Sequence, residues 1–282
     1  MKLVRLFLIL FVAFFTTPSR ADTFRLGLLH ADPEIFSYEI SVIELALKTT
    51  DPDHQLELIP LANTSQERVL NMLENRQNID MFFTGYSRER ELRFLQIDIP
   101  LTRGLLGARV FIRKKGERFV INNLSDLQRH TIGSGIGWPD TTIFESAGFD
   151  VISSTYDNLW RMLNHGRFRL FNRGINEAYV EIDQQARKGY DFEIQPDVIL
   201  FYPFDYFIYL NRESTALKDI LESGLRTAYE NGSFMSNFNT HPNTAKALKK
   251  IQSFSKVFQI PNPLLSRRVK NIPARFWHNP VQ

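Results

Sequence analysis

The residues with chemistry to offer are arginines, carboxylates and a glycine run. Arg88-Glu-Arg-Glu-Leu-Arg93 concentrates guanidinium groups, whose planar fork donates two parallel hydrogen bonds to a carboxylate, although ion pairs within the turn would satisfy the same side chains. Phe171-Asn-Arg173-Gly-Ile-Asn-Glu177 puts another arginine four residues before a glutamate. Between them, Gly133-Ser-Gly135-Ile-Gly-Trp138-Pro-Asp140-Thr141-Thr leaves an expected strand and enters an expected helix. Three glycines leave backbone N–H groups uncrowded, and Asp140 or Thr141 can cap the helix beside whatever occupies the adjoining space. The spacing is G-x-G-x-G with Trp138-Pro139 following, so it is not the dinucleotide fingerprint.

Other chemistries find no support. There is no cysteine, which removes disulfides, thiol nucleophiles, zinc thiolates and a lipid-attachment cysteine together. The six histidines His30, His54, His130, His165, His241 and His278 show no metal-ligand spacing, and no Gly-x-Ser-x-Gly elbow occurs. No cofactor is expected.

The formal charge of +3 would suggest nucleic acid or an anionic membrane if it belonged to the working protein. It does not. Met1-Lys-Leu-Val-Arg5, the apolar run Leu6 to Phe15 and the end Ser19-Arg20-Ala21 form a basic, apolar and small-residue succession, the pattern of a secretory signal peptide cleaved after Ala21. The apolar run is half of the ~20 residues a membrane span requires. Lys2, Arg5 and Arg20 account for the whole excess of 34 Lys+Arg over 31 Asp+Glu, so the mature chain is formally neutral. Nucleic-acid binding loses its support, and a periplasmic address is expected.

The elements that must position these residues alternate in type, which predicts α/β layering with a mostly parallel sheet. Strands are expected at Phe24–Leu29, Leu56–Pro60, Asp80–Thr84, Ala108–Arg113, Thr131–Gly133, Asp150–Ser153, Phe168–Phe171, Asp197–Phe201 and Tyr206–Leu210. Helices are expected at Ile35–Thr49, Ser65–Asn75, Asp140–Ala147, Asp157–His165, Asn176–Lys188, Ser214–Asn231 and Thr244–Ser255. An internal echo joins Arg68-Val-Leu-Asn-Met-Leu73 before Asp80-Met-Phe-Phe to Asn158-Leu-Trp-Arg-Met-Leu163 before Phe168-Arg-Leu-Phe. It predicts two similar α/β lobes. Pro100, Gly104 and Gly107 mark one crossing between them, and Leu200-Phe-Tyr-Pro-Phe-Asp-Tyr206 a second. Lobe 1 is then 22–107 with 206–282, and lobe 2 the insertion 108–205. Thr84-Gly85 closes a strand, the usual place for ligand contacts in open α/β sheets.

In this order the motifs resemble the type II periplasmic solute-binding proteins, in particular their amino-acid-binding branch (family 3). The resemblance rests on Leu73-Glu-Asn-Arg-Gln-Asn-Ile-Asp80 with Ser87-Arg-Glu-Arg90 and Ile99-Pro100-Leu101, on Leu124-Ser-Asp-Leu127 before Thr131-Ile-Gly, on Leu163-Asn-His-Gly-Arg167, and on Ser223 to Phe234 with its Asn-Gly-Ser turn. It spans essentially the whole mature chain. It implies a two-lobed clamp, expected to be monomeric, that closes on a small polar or anionic solute and delivers it to an inner-membrane ABC permease. The same fold also serves as a sensor docking on a membrane-bound signalling protein, and as a dehydratase.

By the resemblance, Arg90 grips the ligand's carboxylate, with Arg88 its competitor, and Tyr38 stacks on the solute. One departure matters. The family's Gly-Arg-x-Asp strand has Arg169 in place of its aspartate, and the aspartate that holds an α-amino group has no counterpart near Gly174, unless Glu177 substitutes. Arg173 with Arg90 would then suit an anionic solute, because a buried ammonium without a carboxylate is strongly disfavoured.

Overall fold

The computed structural model describes residues 22–29, 33–62 and 64–278; the expected signal segment lies outside them. The chain runs β1 (Thr23–Leu28), α1 (Ser37–Thr50), β2 (Gln55–Pro60), α2 (Gln66–Glu74), β3 (Met81–Gly85), α3 (Arg88–Arg93) and a two-residue β4 (Leu95–Gln96). Then follow β5 (Ala108–Lys114), α4 (Leu124–Gln128), β6 (Ile132–Gly135), α5 (Pro139–Ser146), β7 (Val151–Ser154), α6 (Tyr156–Asn164), β8 (Leu170–Gly174), α7 (Ile175–Arg187), β9 (Phe192–Ile194) and β10 (Val198–Phe201). β11 (Tyr206–Leu210), α8 (Thr215–Glu230), α9 (Ser233–Thr240), α10 (Pro242–Ile251), β12 (Lys256–Gln259) and α11 (Arg267–Lys270) complete it.

Two sheets result. The first has the order β2-β1-β3-β11-β4, the second β12-β10-β5-β8-β6-β7 with β9 also on β5. Both contain a parallel core built from strand-helix-strand units, β2-β1-β3 and β7-β6-β8. β5 and β11 arrive straight from a crossing, without a helical crossover to reverse them, and run antiparallel to their neighbours. Both sheets are therefore mixed.

The internal echo has a structural counterpart. α2 buries Val69, Leu70 and Leu73 and is capped by Ser65, whose Oγ accepts from Arg68 N at 3.2 Å; α6 buries Leu159, Trp160 and Leu163. Each precedes a strand of five fully buried residues, Met-Phe-Phe-Thr-Gly85 and Leu-Phe-Asn-Arg-Gly174. The apolar run of β3 suits a strand covered on both faces, β8 buries Asn172 and Arg173 beside Leu170 and Phe171, and both strands end in glycine.

The two crossings are tied to each other. Asp205, fully buried, accepts hydrogen bonds from Thr102 N and Thr102 Oγ1, each at 2.9 Å, and from Gly104 N. Burial pushes its carboxyl up to about 7 against the pull of these bonds. Alongside, Tyr202 N donates to Gly107 O at 3.2 Å, and a Cβ on Gly107 would stand 2.0 Å from Tyr202 O. The crossings fit side by side only because residue 107 has no side chain.

One expectation is corrected. The segment after 206 does not all stay with the first sheet: β12 pairs in parallel with β10, Val198 opposite Lys256 and Phe201 opposite Gln259. The chain then returns, where Ser266 Oγ donates to Glu91 Oε2 at 2.6 Å and Arg268 Nε to Asp98 Oδ2 at 2.8 Å. The alternately half-exposed Lys-Val-Phe-Gln segment has little strand signal of its own; the open edge of β10 recruits it.

Candidate functional site

A cavity of about 580 Å³ lies between the sheets, within the usual range for small-molecule sites. Leu29, Phe36, Gln66, Gly85 and Tyr206 reach it from the first side; Trp138, Asp140, Tyr156, Arg173 and Glu177 reach it from the second; Leu106 and Phe204 of the crossings close its back. The described residues contain no group of three or more His, Cys, Asp or Glu able to hold a metal, and no helix long and apolar enough to cross a membrane.

The glycine run serves packing first. A Cβ on Gly135 would stand 2.1 Å from the Trp138 indole, so the glycine lets that ring fold back over the strand end. Trp138 then begins α5, with Pro139 in the first turn, where its missing N–H costs nothing. Thr141 turns inward, its Oγ1 donating to Ser134 Oγ at 2.9 Å. Asp140, also in the first turn, is 5% exposed and lines the cavity. Its Oδ1 lies 3.0 Å from Arg109 Nη2 in an ion pair and accepts from the Tyr202 hydroxyl. Arg109 also donates through Nη1 to Leu106 O at 3.0 Å and through Nη2 to Asn172 Oδ1 at 2.8 Å. Burial opposes its charge, but Asp140 and then Tyr202 outweigh that and raise its pKa.

On the neighbouring strand end, Arg173 meets two glutamates presented one turn apart by α7. Its Nη2 is 3.0 Å from Glu177 Oε2 and 2.7 Å from Glu181 Oε1, and its Nε donates to Glu181 Oε2 at 2.7 Å. Its guanidinium lies 4.8 Å over the Trp138 ring. Burial works against this charge as well, yet the two carboxylates hold it well above the usual arginine value. Glu177 additionally accepts from Gly174 N at 3.1 Å, satisfying a free N–H at the helix start, and from the Tyr206 hydroxyl of the first sheet.

The Glu177–Tyr206 bond spans the cleft, an exposed ion pair between Arg187 Nη2 of α7 and Glu34 Oε2 at 3.2 Å also joins the two sides, and two further bonds do so. Asn176 Nδ2 donates to Glu39 Oε1 of α1 at 3.2 Å, both residues being buried. Arg90 Nη2 donates to Gly137 O at 3.1 Å as well as to Gln66 Oε1 at 2.8 Å. Arg90 Nη1 is committed to Thr84 Oγ1 at 3.1 Å and Gly85 O at 2.5 Å.

Five of the expected site residues thus meet at the cavity: Gly85, Trp138, Asp140, Arg173 and Glu177. Five do not line it. Tyr38 is fully buried, its hydroxyl donating to Leu101 O at 3.1 Å and its ring packed on Phe238 and His241; an aromatic in the first helix turn is here part of the core. Thr84, Gly135 and Thr141 stand directly behind the wall and orient Arg90, Trp138 and the α5 start. Arg90, not the exposed Arg88, is the buried arginine of its run, because Ser87 caps α3 and turns Arg90 inward. Its terminal nitrogens are nevertheless occupied by neutral acceptors, so it bridges the sheets and presents no free fork. Burial lowers its pKa.

Sequence reasoning missed Arg109, Glu181, Tyr202 and Tyr206. Spacing contained part of the signal: Arg173, Glu177 and Glu181 recur every four residues, and Arg109 is the first charged residue after the crossing. Nothing local marks the tyrosines as partners of carboxylates far along the chain.

No family model matches the sequence, and no curated protein matches it. Solved structures do. An ancestral arginine-binding protein bound to arginine superposes with a TM-score of 0.59 at 16% identity, over 77% of this chain and 96% of that one. An amino acid ABC transporter substrate-binding protein from Streptococcus pneumoniae, bound to L-arginine, gives 0.58 at 17% identity over 80% and 95%. The GluR0 ligand-binding core from Nostoc punctiforme in complex with (L)-glutamate gives 0.55 at 12% identity over 78% and 99%. The chain shares the fold of these proteins. The resemblance read from the motif order therefore holds at the level of the two-lobed fold, and the cavity lies between its lobes.

Proposed function

We propose that this chain is an exported solute-binding protein that closes its two lobes on a small solute and hands it to a membrane permease of the ABC type. One observation carries the reading: the 580 Å³ cavity is lined from both sheets, and side-chain bonds from Glu177 to Tyr206 and from Arg90 to Gly137 cross it. Contacts that exist only when the lobes are together make closure and ligand capture one event. The solved structures of this fold that carry amino acids or belong to amino acid ABC transporters support the same role. The chemistry at the cavity is that of binding, since its buried arginines and carboxylates are paired with one another.

Export by residues 1–21 belongs to this reading, with mature protein beginning at Asp22 in a periplasmic fraction. The test is a thermal-shift screen of the mature chain followed by small-angle scattering. A true solute at 100 times its Kd adds about 2.7 kcal/mol of stability and reduces the radius of gyration. Stabilisation without compaction would contradict closure.

A further inference from the structure

We infer that the cleft takes a neutral, planar solute with an amide-like edge, one carbonyl and one N–H, and not the zwitterion or the anion that two cleft arginines first suggest. This inference deepens the binding-protein reading and rests on it.

The buried charges of the cleft are already balanced. Three arginines stand in or directly behind the cavity wall, Arg90, Arg109 and Arg173, and each is at most 5% exposed. Three carboxylates stand with them, Asp140, Glu177 and Glu181, equally buried. Their formal charges cancel without a ligand. Any net charge brought in among them would have no buried counter-charge, and a buried unpaired ion is strongly disfavoured.

The donor geometry points the same way. A ligand carboxylate needs two parallel N–H donors from one guanidinium. Arg90 has both terminal nitrogens on oxygen acceptors, and Arg109 has both on Leu106, Asn172 and Asp140. Arg173 retains only Nη1, and an anion there would sit beside Glu177 and Glu181, which are 3.0 Å and 2.7 Å from the adjacent Nη2. Like charges at that range oppose binding. An ammonium fares no better, since Asp140 already has Arg109 at 3.0 Å.

Apart from Arg109 Nε, which is enclosed in the protein, two polar atoms of the buried, paired arginines and carboxylates that line the cavity remain without a partner among the described residues: Arg173 Nη1, a donor, and Asp140 Oδ2, an acceptor. Neither is sealed from its surroundings, and both residues line the cavity. Each is charge-assisted, yet each belongs to a group already matched in charge. An amide edge complements them, with its carbonyl on Nη1 and its N–H on Oδ2. The other walls, Leu29, Phe36, Leu106, Ile136 and Phe204, are apolar and suit a flat ring. The remaining charges lining the cavity, Asp157 and Arg161, are exposed, so water screens them from the buried end.

The experiment is calorimetry on the mature chain with three panels: neutral cyclic amides (uracil, nicotinamide, a diketopiperazine), α-amino acids (arginine, glutamine, glutamate) and dicarboxylates. We expect binding within the first panel, weakened about tenfold or more by Asp140→Asn, which replaces the acceptor by an amide. Because that substitution also disturbs a buried ion pair, salt provides a second readout on the unmodified chain. The affinity of a neutral ligand should change less than about twofold between low and high ionic strength. Tighter binding of an amino acid or dicarboxylate than of every neutral amide overturns the inference and leaves the binding-protein reading standing. No binding by any panel at millimolar concentration overturns both.

Discussion

Glu39 and Asn176 meet across the cleft in a way that makes stability fall as pH rises. Glu39 is fully buried, and burial, aided by the nearby Glu177 and Asp205 carboxylates, pushes its carboxyl from 4.5 up to about 8. Its Oε1 accepts from Asn176 Nδ2, while Glu39 Oε2 and Asn176 Oδ1 are both buried without a partner. A proton on Oε2 would let the acid donate back to the amide and complete a cyclic pair, satisfying both orphans at once. The folded-state pKa lies above the unfolded value, so the native state binds the extra proton. Its contribution is fully present below pH 4.5 and is lost as pH rises through 8. At about 1.4 kcal/mol per pH unit, the loss over that interval is of order 5 kcal/mol. Glu39→Gln replaces the titrating oxygen by an amide that donates at every pH. In urea denaturation at pH 5, 6.5 and 8, the variant should match the parent within about 1 kcal/mol at pH 5 and exceed it by several kcal/mol at pH 8. Parallel profiles would refute the assignment of a protonated Glu39.

Three further outcomes follow from the same contacts. Arg173→Met removes the partner of two buried carboxylates and should cost about 3–5 kcal/mol in urea denaturation, with Arg173→Lys restoring only part because an ammonium cannot reproduce the two-glutamate fork. Tyr206→Phe keeps the ring but deletes the bond to Glu177 across the cleft; it should weaken solute binding by about 1.5–3 kcal/mol, roughly ten- to hundredfold in Kd, with little change in melting temperature if each lobe keeps its own core. Gly107→Ala places a methyl 2.0 Å from Tyr202 O and must push the crossings apart, so it should destabilise by about 1–3 kcal/mol and alter the scattering profile of the free protein.

The fold was largely legible because its signals are local. The apolar run Met-Phe-Phe marks β3, the apolar residues Phe168, Leu170 and Phe171 lead into β8, and the recurring Leu-Trp-x-x-Leu type pattern marks α6. β12 was not legible, since Lys256–Gln259 becomes a strand only by joining an edge formed elsewhere. The site divides similarly. Trp138, Asp140, Arg173 and Glu177 could be found from strand ends and helix starts, which open α/β sheets turn toward a ligand. Arg90 could be found as a buried arginine but not as a bridge, because its acceptors, Gln66 and Gly137, come from two other segments. The same holds for Tyr202 and Tyr206, whose carboxylate partners lie in the second lobe. Sequence periodicity reports which way a side chain faces; what it faces is decided by chain crossings.

The central claim is that solute is held between the lobes at Asp140 and Arg173. Its most direct measurement is a co-crystal structure of the mature chain with the solute that most raises its melting temperature. The solute should lie inside the cavity, hydrogen-bonded to Arg173 Nη1 and Asp140 Oδ2, with the Glu177–Tyr206 bond formed. A solute bound outside the cleft, or inside it with Arg173 detached from Glu177 and Glu181 to grip an anion, would contradict it.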